Sequence, residues 1–422
     1  MKERRAKICL ITPGHLSTNP RLVKEADALD AAGHDVTVIA ATYQPWAREA
    51  DKSFASKPWR IAQPLPFGPH APRRIRVWQL GRQRLARGLV RGGAHHLAVV
   101  RAAFHPVAPD LVRALGEIPA DLYIAHYPAA LPAAALAARR QGSVYAFDAE
   151  DFHQGEFEHG VSGEGVRRMI AAIESAYLPG CAYVTAASPG IADAYAATYG
   201  ITRPTVVLNA FPRAQAPDGA TGCGTAVPGP SVYWFSQTIG PNRGLETAIR
   251  AIARAKSQPH LYLRGILSSG YLDQIERLAQ SMEVRDRLHI LPPAPPGEME
   301  RLAAAYDLGF SGEPGHTVNN RLALGNKIFS YLLAGLPVLA SDTPAHTQLA
   351  PSLGSAIRLF SIEDPQSAAD GIDHFLYSNS TLTDARQVAF DFGRDKFNWD
   401  IEQQVVIDRV DEALTMRQGP GQ

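Results

Sequence analysis

The sequence predicts an α/β protein built from two doubly wound domains, each a parallel sheet flanked by helices, with an interdomain cleft. Three observations predict it. Apolar runs of four to six residues alternate with helical stretches, as in a parallel sheet covered on both faces. One stretch rich in Pro and Gly interrupts the alternation, which then restarts. A chain of 422 residues, 45% hydrophobic and 20% charged, is long enough for two globular domains.

The first domain is expected at 1–210. Its strands are predicted at 7–12, 34–40, 122–126, 144–148, 183–186 and 205–208, and its helices at 21–32, 131–141 and 191–199. Gly33 ends the first helix, because a left-handed position there favours Gly. The linker, 211–230, carries Pro212, Pro217, Gly219, Gly222, Gly224, Pro228, Gly229 and Pro230. The second domain follows at 231–395, with strands at 232–235, 261–264, 288–291, 308–311 and 337–340. Its helices are predicted at 245–256, 272–282, 298–306 and 327–334. The remaining 396–422 holds an amphipathic helix that includes Ile401, Val405, Ile407, Val410 and Leu414 and is expected to cross back to the first domain. Ligands in such sheets bind at the carboxyl ends of the strands, so two facing sheets give a cleft where two substrates meet.

Composition excludes several classes. No run of eighteen apolar residues is present, and the apolar stretch after Lys7 is too short for a signal peptide. Three widely spaced cysteines, Cys9, Cys181 and Cys223, fit neither a disulfide framework nor a zinc site and point to a reduced cytoplasm. There is no His-Glu-x-x-His, and neither domain opens with Gly-x-Gly-x-x-Gly, so a plain dehydrogenase does not fit. The net charge of +1 hides an asymmetry. From Lys52 to Pro109 there are eleven Lys or Arg and no Asp or Glu, which leaves about −10 on the rest.

Several segments, in order, resemble glycosyltransferase family 4. They are Lys7 to Pro13, Asn19 to Ala26, Gly33 to Val38, Pro204 to Asn209 and, most specifically, Asn319 to Phe329 followed by Tyr331 to Ser341. The resemblance covers nearly the whole chain. It implies the GT-B fold of two Rossmann-like domains, a nucleotide-sugar donor on the second domain and an acceptor on the first. The expected reaction is sugar transfer with retention, with no cofactor and no obligatory metal.

Breaking the donor's bond builds negative charge on its phosphate, and cations and helix N-termini must meet that charge. After the second domain's first strand, Gly240 and Gly244 let backbone approach a phosphate, and Arg243 stands where the family carries a basic residue. The family's further Arg, five residues earlier, is Thr238 here. Asn326 and Lys327 open a helix and offer a second cation. Gly265 ends a strand where the family approaches the base, and Glu313 is the nearest upstream carboxylate. The family's pair of Glu eight positions apart, the second clamping the ribose, is replaced by Leu322 and Ser330, so donor contact at this position falls to Ser330.

In the first domain Gly14 lies at the turn after strand one, available to donor phosphate or acceptor. His126 ends a strand that in the family places a His near the transferred sugar. The stretch from Asp148 to Glu156 crowds four acids and a His at a strand's carboxyl end. Asp148 and Glu150 are the candidate bases should the transfer invert, and Asp151, His153 and Glu156 are the candidates for acceptor hydroxyls. Ser188 reads as a helix N-cap. Two rivals share this grammar: a nucleotide-sugar 2-epimerase and a catalytically silent partner subunit. The expected partners are a nucleotide sugar and an acceptor that is anionic or lipid-linked, with no nucleic acid. The basic stretch 73–91 is a candidate for peripheral contact with the inner face of a membrane.

Overall fold

The structure is a computed structural model that describes residues 5–157, 161–220, 227, 229–362 and 364–418. The chain forms two compact units, Met1–Val207 with Gln403–Gln422, and Leu208–Glu402. Part of the expected linker, 221–226 and 228, lies outside the described residues, as does Cys223. Cys9 and Cys181 are free thiols.

The first unit is built on a seven-stranded parallel sheet. Its order is Arg60–Ile61, Asp35–Ile39, Lys7–Ile11, Leu122–His126, Val144–Ala149, Val184–Ala186 and Thr205–Val206. Ile8, Cys9, Leu10 and Ile11 are buried, and so is every residue of Leu122–His126. That is why these strands read as unbroken apolar runs rather than alternating ones. Chain direction along the sheet reverses between Lys7–Ile11 and Leu122–His126, so the crevice of the fold opens at their carboxyl ends. The register sets His126 opposite Asp148 on the next strand. Helix Pro20–Ala31 starts with Pro20 in its first turn and Asn19 as cap, whose side chain accepts from the Leu22 N–H at 3.0 Å. From Gln403 onward the last helix, Trp399–Gln418, belongs to this unit, and its Asp411 lies 3.7 Å from His34.

The second unit has a six-stranded parallel sheet. Its order is Leu288–Leu291, His260–Leu267, Ser231–Ile239, Leu308–Ser311, Val338–Ser341 and Ile357–Phe360. Alternate residues of the central strand feed two cores. Val232 and Trp234 pack with Leu263, Phe310 and Phe360, while Tyr233 packs with Tyr262, Tyr306 and Tyr331. The reversal falls between Ser231–Ile239 and Leu308–Ser311. The central strand runs past the predicted 232–235, because after an irregularity between Phe235 and Thr238 its pairing resumes at Thr238 with Ile266. The strand Ile357–Phe360 was not predicted. Its Arg358 is exposed, so it lacks the unbroken apolar run of its neighbours.

Gly244 fixes the start of helix Leu245–Arg254. It adopts φ +71°, and a methyl there would stand 1.9 Å from the Gly312 carbonyl oxygen. Backbone lies against backbone at the reversal point, where only Gly fits. Gly244→Ala is therefore expected to destabilise the second unit by about 2 kcal/mol or more, from the left-handed backbone plus the contact. Thermal unfolding checks this. An unchanged melting curve would show that the two loops can separate at no cost.

Candidate functional site

At the first unit's crevice four ionisable side chains interlock. Arg21 and Glu25, one helical turn apart on Pro20–Ala31, are both buried. The Arg21 guanidinium donates to both Asp148 oxygens, Nε to Oδ2 at 2.7 Å and Nη2 to Oδ1 at 2.8 Å, and to the Val207 carbonyl at 2.7 Å. Thr185 donates to Asp148 Oδ1 at 2.6 Å. His126 donates through Nε2 to Glu25 at 2.8 Å, and its Nδ1 lies 3.3 Å from Asp148 Oδ2. Burial opposes charge on His126, but hydrogen bonds to Asp148 and Glu25 overcome it and raise its pKa to about 9. Burial alone would raise Asp148. The adjacent Arg21, with His126, instead holds it well below the usual carboxylate range. Two cations and two anions thus balance in a dry site.

This arrangement corrects the reading of Asp148 as a base. Both its oxygens are engaged and its proton affinity is depressed, so it anchors Arg21 and His126. Glu150 is different. It is half-buried, and desolvation, with the neighbouring Asp151 charge, pushes its carboxyl up to about 7, within range for moving a proton at neutral pH.

The following loop is braced from behind. His153 is buried, bonds Glu156 at 2.6 Å, and lies against the Tyr127 ring. Burial opposes charge on His153 as well, yet Glu156 raises its pKa. Glu174 accepts from Tyr195 at 2.8 Å and from Tyr199, which in turn accepts from Gln154. The Tyr195 hydroxyl oxygen also lies 3.2 Å from the Asp151 carbonyl. Tyr127, next to His126, holds φ +71° with a bulky side chain, a costly backbone state of the sort found at functional sites. Gly14 makes no tight contact, since a methyl there would meet Thr18 at 3.7 Å. Its loop is held instead by His15, which bonds Asp51 at 2.7 Å and accepts from the Tyr43 and Gln44 N–H groups. Ser188 caps helix Pro189–Tyr199 through the Ile191 N–H.

In the second unit four of the residues read as donor-binding, Arg243, Glu313, Asn326 and Lys327, lie on the loops and helix starts around the reversal point. Gly244 abuts Gly312, which precedes Glu313, and Glu313 lies 3.3 Å from Lys327 in the first turn of helix Asn326–Leu333. Glu313 also accepts from Ser311 at 2.7 Å and lies 3.9 Å from buried His346. Burial would raise its pKa; Lys327 and His346 bring it down to about 2. A methyl at Gly325 would press on Glu313 at 3.2 Å. Helices Leu245–Arg254 and Asn326–Leu333 begin at Gly244 and Gly325 without a side-chain cap, so their first N–H groups face forward unanswered by any cap side chain. Arg243 is exposed, with no hydrogen bond or ion pair among the described residues. Gly240 would meet Ser268 at 3.0 Å if it carried a methyl. Gly265, at φ +152°, lets the strand pass 2.3 Å from the Ser236 carbonyl, measured to an added methyl. Beside it Arg264 is committed to the Tyr233 hydroxyl and the Pro292 carbonyl.

Ser330 is not part of this group. It is fully buried, and its hydroxyl donates to buried Glu300 at 2.5 Å. The Ser therefore reads as a structural partner of Glu300 and not as a contact for the donor. Arg21, Glu25, Tyr127 and Glu300 escaped the sequence reading. Arg21 and Glu25 did leave a signal, two opposite charges one turn apart on the helix that follows the first strand.

Residues 18–211 match the family of glycosyl transferase 4-like domains. No curated protein matches the chain. Among solved structures, Anabaena Alr3699/HepE in complex with UDP superposes with a TM-score of 0.71 at 14% identity, over 96% of this chain and 99% of that one. Sucrose-phosphate synthase from Thermosynechococcus elongatus gives 0.72 at 15%, over 98% and 100%. A glycosyltransferase from Rickettsia africae ESF-5 gives 0.68 at 12%, over 98% and 99%. Residues 18–211 thus form a glycosyl transferase 4-like domain, and the chain as a whole has the GT-B fold. In this GT-B fold the two sheet reversals coincide with the two groups of polar side chains.

Two outcomes follow from the buried pairs. The folded pKa of His126 exceeds its usual 6.5, so its stabilising contribution is complete below pH 6.5 and is lost as pH rises through about 9. The wild type should lose on the order of 3 kcal/mol across that window, and His126→Gln should flatten the loss. Melting temperatures from pH 6 to 9.5 decide it; parallel curves for the two proteins would remove His126 as the cause. Ser330→Ala should destabilise the second unit by about 1–3 kcal/mol, because Glu300 loses a buried donor. Nucleotide affinity should stay within about twofold, since Ser330 reaches no ligand. Calorimetry on the folded variant measures both, and a large loss of affinity at unchanged stability would restore Ser330 to the binding site.

Proposed function

We propose that this protein moves a sugar from a nucleoside-diphosphate sugar to an acceptor. The donor is held by the second unit and the acceptor by the first. The observation that carries this reading is the polar group at the second sheet's reversal point. Two uncapped helix starts flank one loop, Gly312-Glu313, with Lys327 paired to it and Arg243 left unpartnered among the described residues. Helix N-termini and two cations suit a diphosphate, and most of all the extra charge it gains as the sugar departs. The HepE structure holds UDP, which makes uridine diphosphate the first ligand to try here.

In this reading Lys327 and Arg243 receive the charge on the leaving diphosphate, so the transfer has no obligatory need of a metal or cofactor. Glu313 holds Lys327 in place through the 3.3 Å pair. On the first unit, Glu150, with its pKa near 7, is the group suited to exchange a proton with an acceptor hydroxyl. His126 and Asp148 position the strand end that bears it. Retention follows if the departing phosphate itself takes the acceptor's proton on the same face, and no carboxylate nucleophile is then required.

Thermal shift with UDP, GDP, ADP and TDP is the direct test, because a ligand of the native state alone raises the melting temperature. No shift with any of them would sink the donor site. Incubation with donor alone separates transfer from epimerisation. A transferase at most releases nucleotide slowly, whereas an epimerase alters the sugar. Arg243→Ala should lower turnover at least about a hundredfold, the worth of one charge-stabilising group at roughly 3 kcal/mol. Its melting temperature should not change, because the side chain is exposed. Near-normal turnover in that variant would take Arg243 out of the mechanism.

A further inference from the structure

Helix Arg73–Arg91 is built with its polarity reversed. The side chains it buries are Gln79, Gln83 and Ala86. Gln79 donates to the Pro66 carbonyl at 3.2 Å and to Asp110 at 3.0 Å, and Gln83 donates to the Ala103 and Phe104 carbonyls at 3.3 and 3.4 Å. Its apolar residues instead face out. Val77 and Trp78 are each 61% exposed and Leu85 is 68% exposed, with Leu80 and Leu89 also exposed. At about 100° per residue, Val77, Gly88, Gly81, Leu85 and Trp78 fall within roughly 100° of arc, which also takes in Arg74 at the helix's first turn. Arg73, Arg84 and Arg91 form a stripe about 20° wide along one border of that arc. These three arginines and Arg74 are exposed. Arg82 is not part of the stripe. It turns inward to Asp110, at 2.8 and 3.1 Å, and to the Pro106 carbonyl.

We propose that this helix is a docking surface for an anionic membrane, lying in the plane of the headgroups with Val77, Trp78 and Leu85 facing the acyl boundary. An exposed apolar arc that includes a Trp, bordered by arginines, is the pattern of a helix that lies in a membrane interface. Charge chooses the occupant. No acid occurs from Lys52 to Pro109, so every charged side chain that the helix itself carries is positive. A second copy of the same face would meet it with like charge, while anionic headgroups complement it. The helix lies on the surface and does not cross, since no described helix is long and apolar enough to span a membrane. This inference does not depend on the transferase reading, and its test needs no substrate.

The test is sedimentation of the full chain with phosphatidylcholine vesicles, with and without phosphatidylglycerol, at low and high salt. The chain should pellet with the anionic vesicles only, and high salt should release it. Two variants probe the two halves of the argument. W78S with L85S removes the apolar anchor, and Arg73→Gln, Arg74→Gln, Arg84→Gln and Arg91→Gln together remove the charge. Each set should weaken partitioning at least about tenfold. All these side chains are exposed, so melting temperatures should match the wild type and serve as the folding control. Equal binding to neutral and anionic vesicles, or binding to neither, overturns the proposal. So does a concentration-dependent dimer in gel filtration that W78S with L85S abolishes, because the face would then be covered by a second copy.

Discussion

A carboxylate removed from water must have its charge met inside the protein, and Asp148 meets this demand with Arg21, His126 and Thr185 at once. The consequences spread through the first unit. Arg21 reaches Asp148 only because helix Pro20–Ala31 lays its first turn over the sheet's carboxyl edge. The same guanidinium grips the Val207 carbonyl, just beyond the last strand of the sheet. One cation therefore ties the unit's first helix, a central strand and the segment after its last strand. His126 then ties Glu25, one turn along the same helix, back to the same carboxylate. The quartet is neutral in sum, so it can be dry; remove one member and a buried charge is left without its counterpart.

The second unit also sets an acid against a cation near its sheet reversal and treats it differently. Glu313 follows a strand that flanks the reversal, whereas Asp148 lies on the strand one removed from it. Glu313 is half-buried, and its cation is a single flexible Lys rather than a bidentate Arg. A lysine on a four-carbon stem can turn from a carboxylate to a phosphate; a guanidinium held by three acceptors cannot do so cheaply. The difference in pairing fits a rigid frame in one unit and a ligand site in the other.

Much of the architecture was legible because both sheets are parallel and covered, which writes their strands as apolar runs. Leu122–His126 and Val338–Ser341 are buried throughout and stood out for that reason. Ile357–Phe360 did not, because Arg358 breaks its run. Candidate site residues such as His126 at a strand end and Lys327 at a helix start could be singled out from position and the family resemblance together. Their partners could not. Arg21 and Asp148 are 127 residues apart, and only strand order brings them together. Ser330 misled for the same reason. A Ser in place of an acid suggests a weakened contact with ligand, but the fold supplies an acid from Glu300 and turns the hydroxyl inward.

Helix Arg73–Arg91 shows the limit of amphipathic reading most clearly. Periodicity says that a helix has two faces, and the usual assumption is that the apolar one goes inside. Here the surface beneath the helix presents backbone carbonyls of Pro66, Ala103 and Phe104, which need donors more than they need methyl groups. Gln79 and Gln83 supply those donors, and the apolar arc is left to face outward by geometry rather than by any preference for water. The sequence marks this indirectly, because the two Gln lie four apart with Arg82 between them, and all three bond into the layer below. Hydrogen-bond demand inside the unit thus decides which face is shown outside, and with it what kind of surface can meet that face.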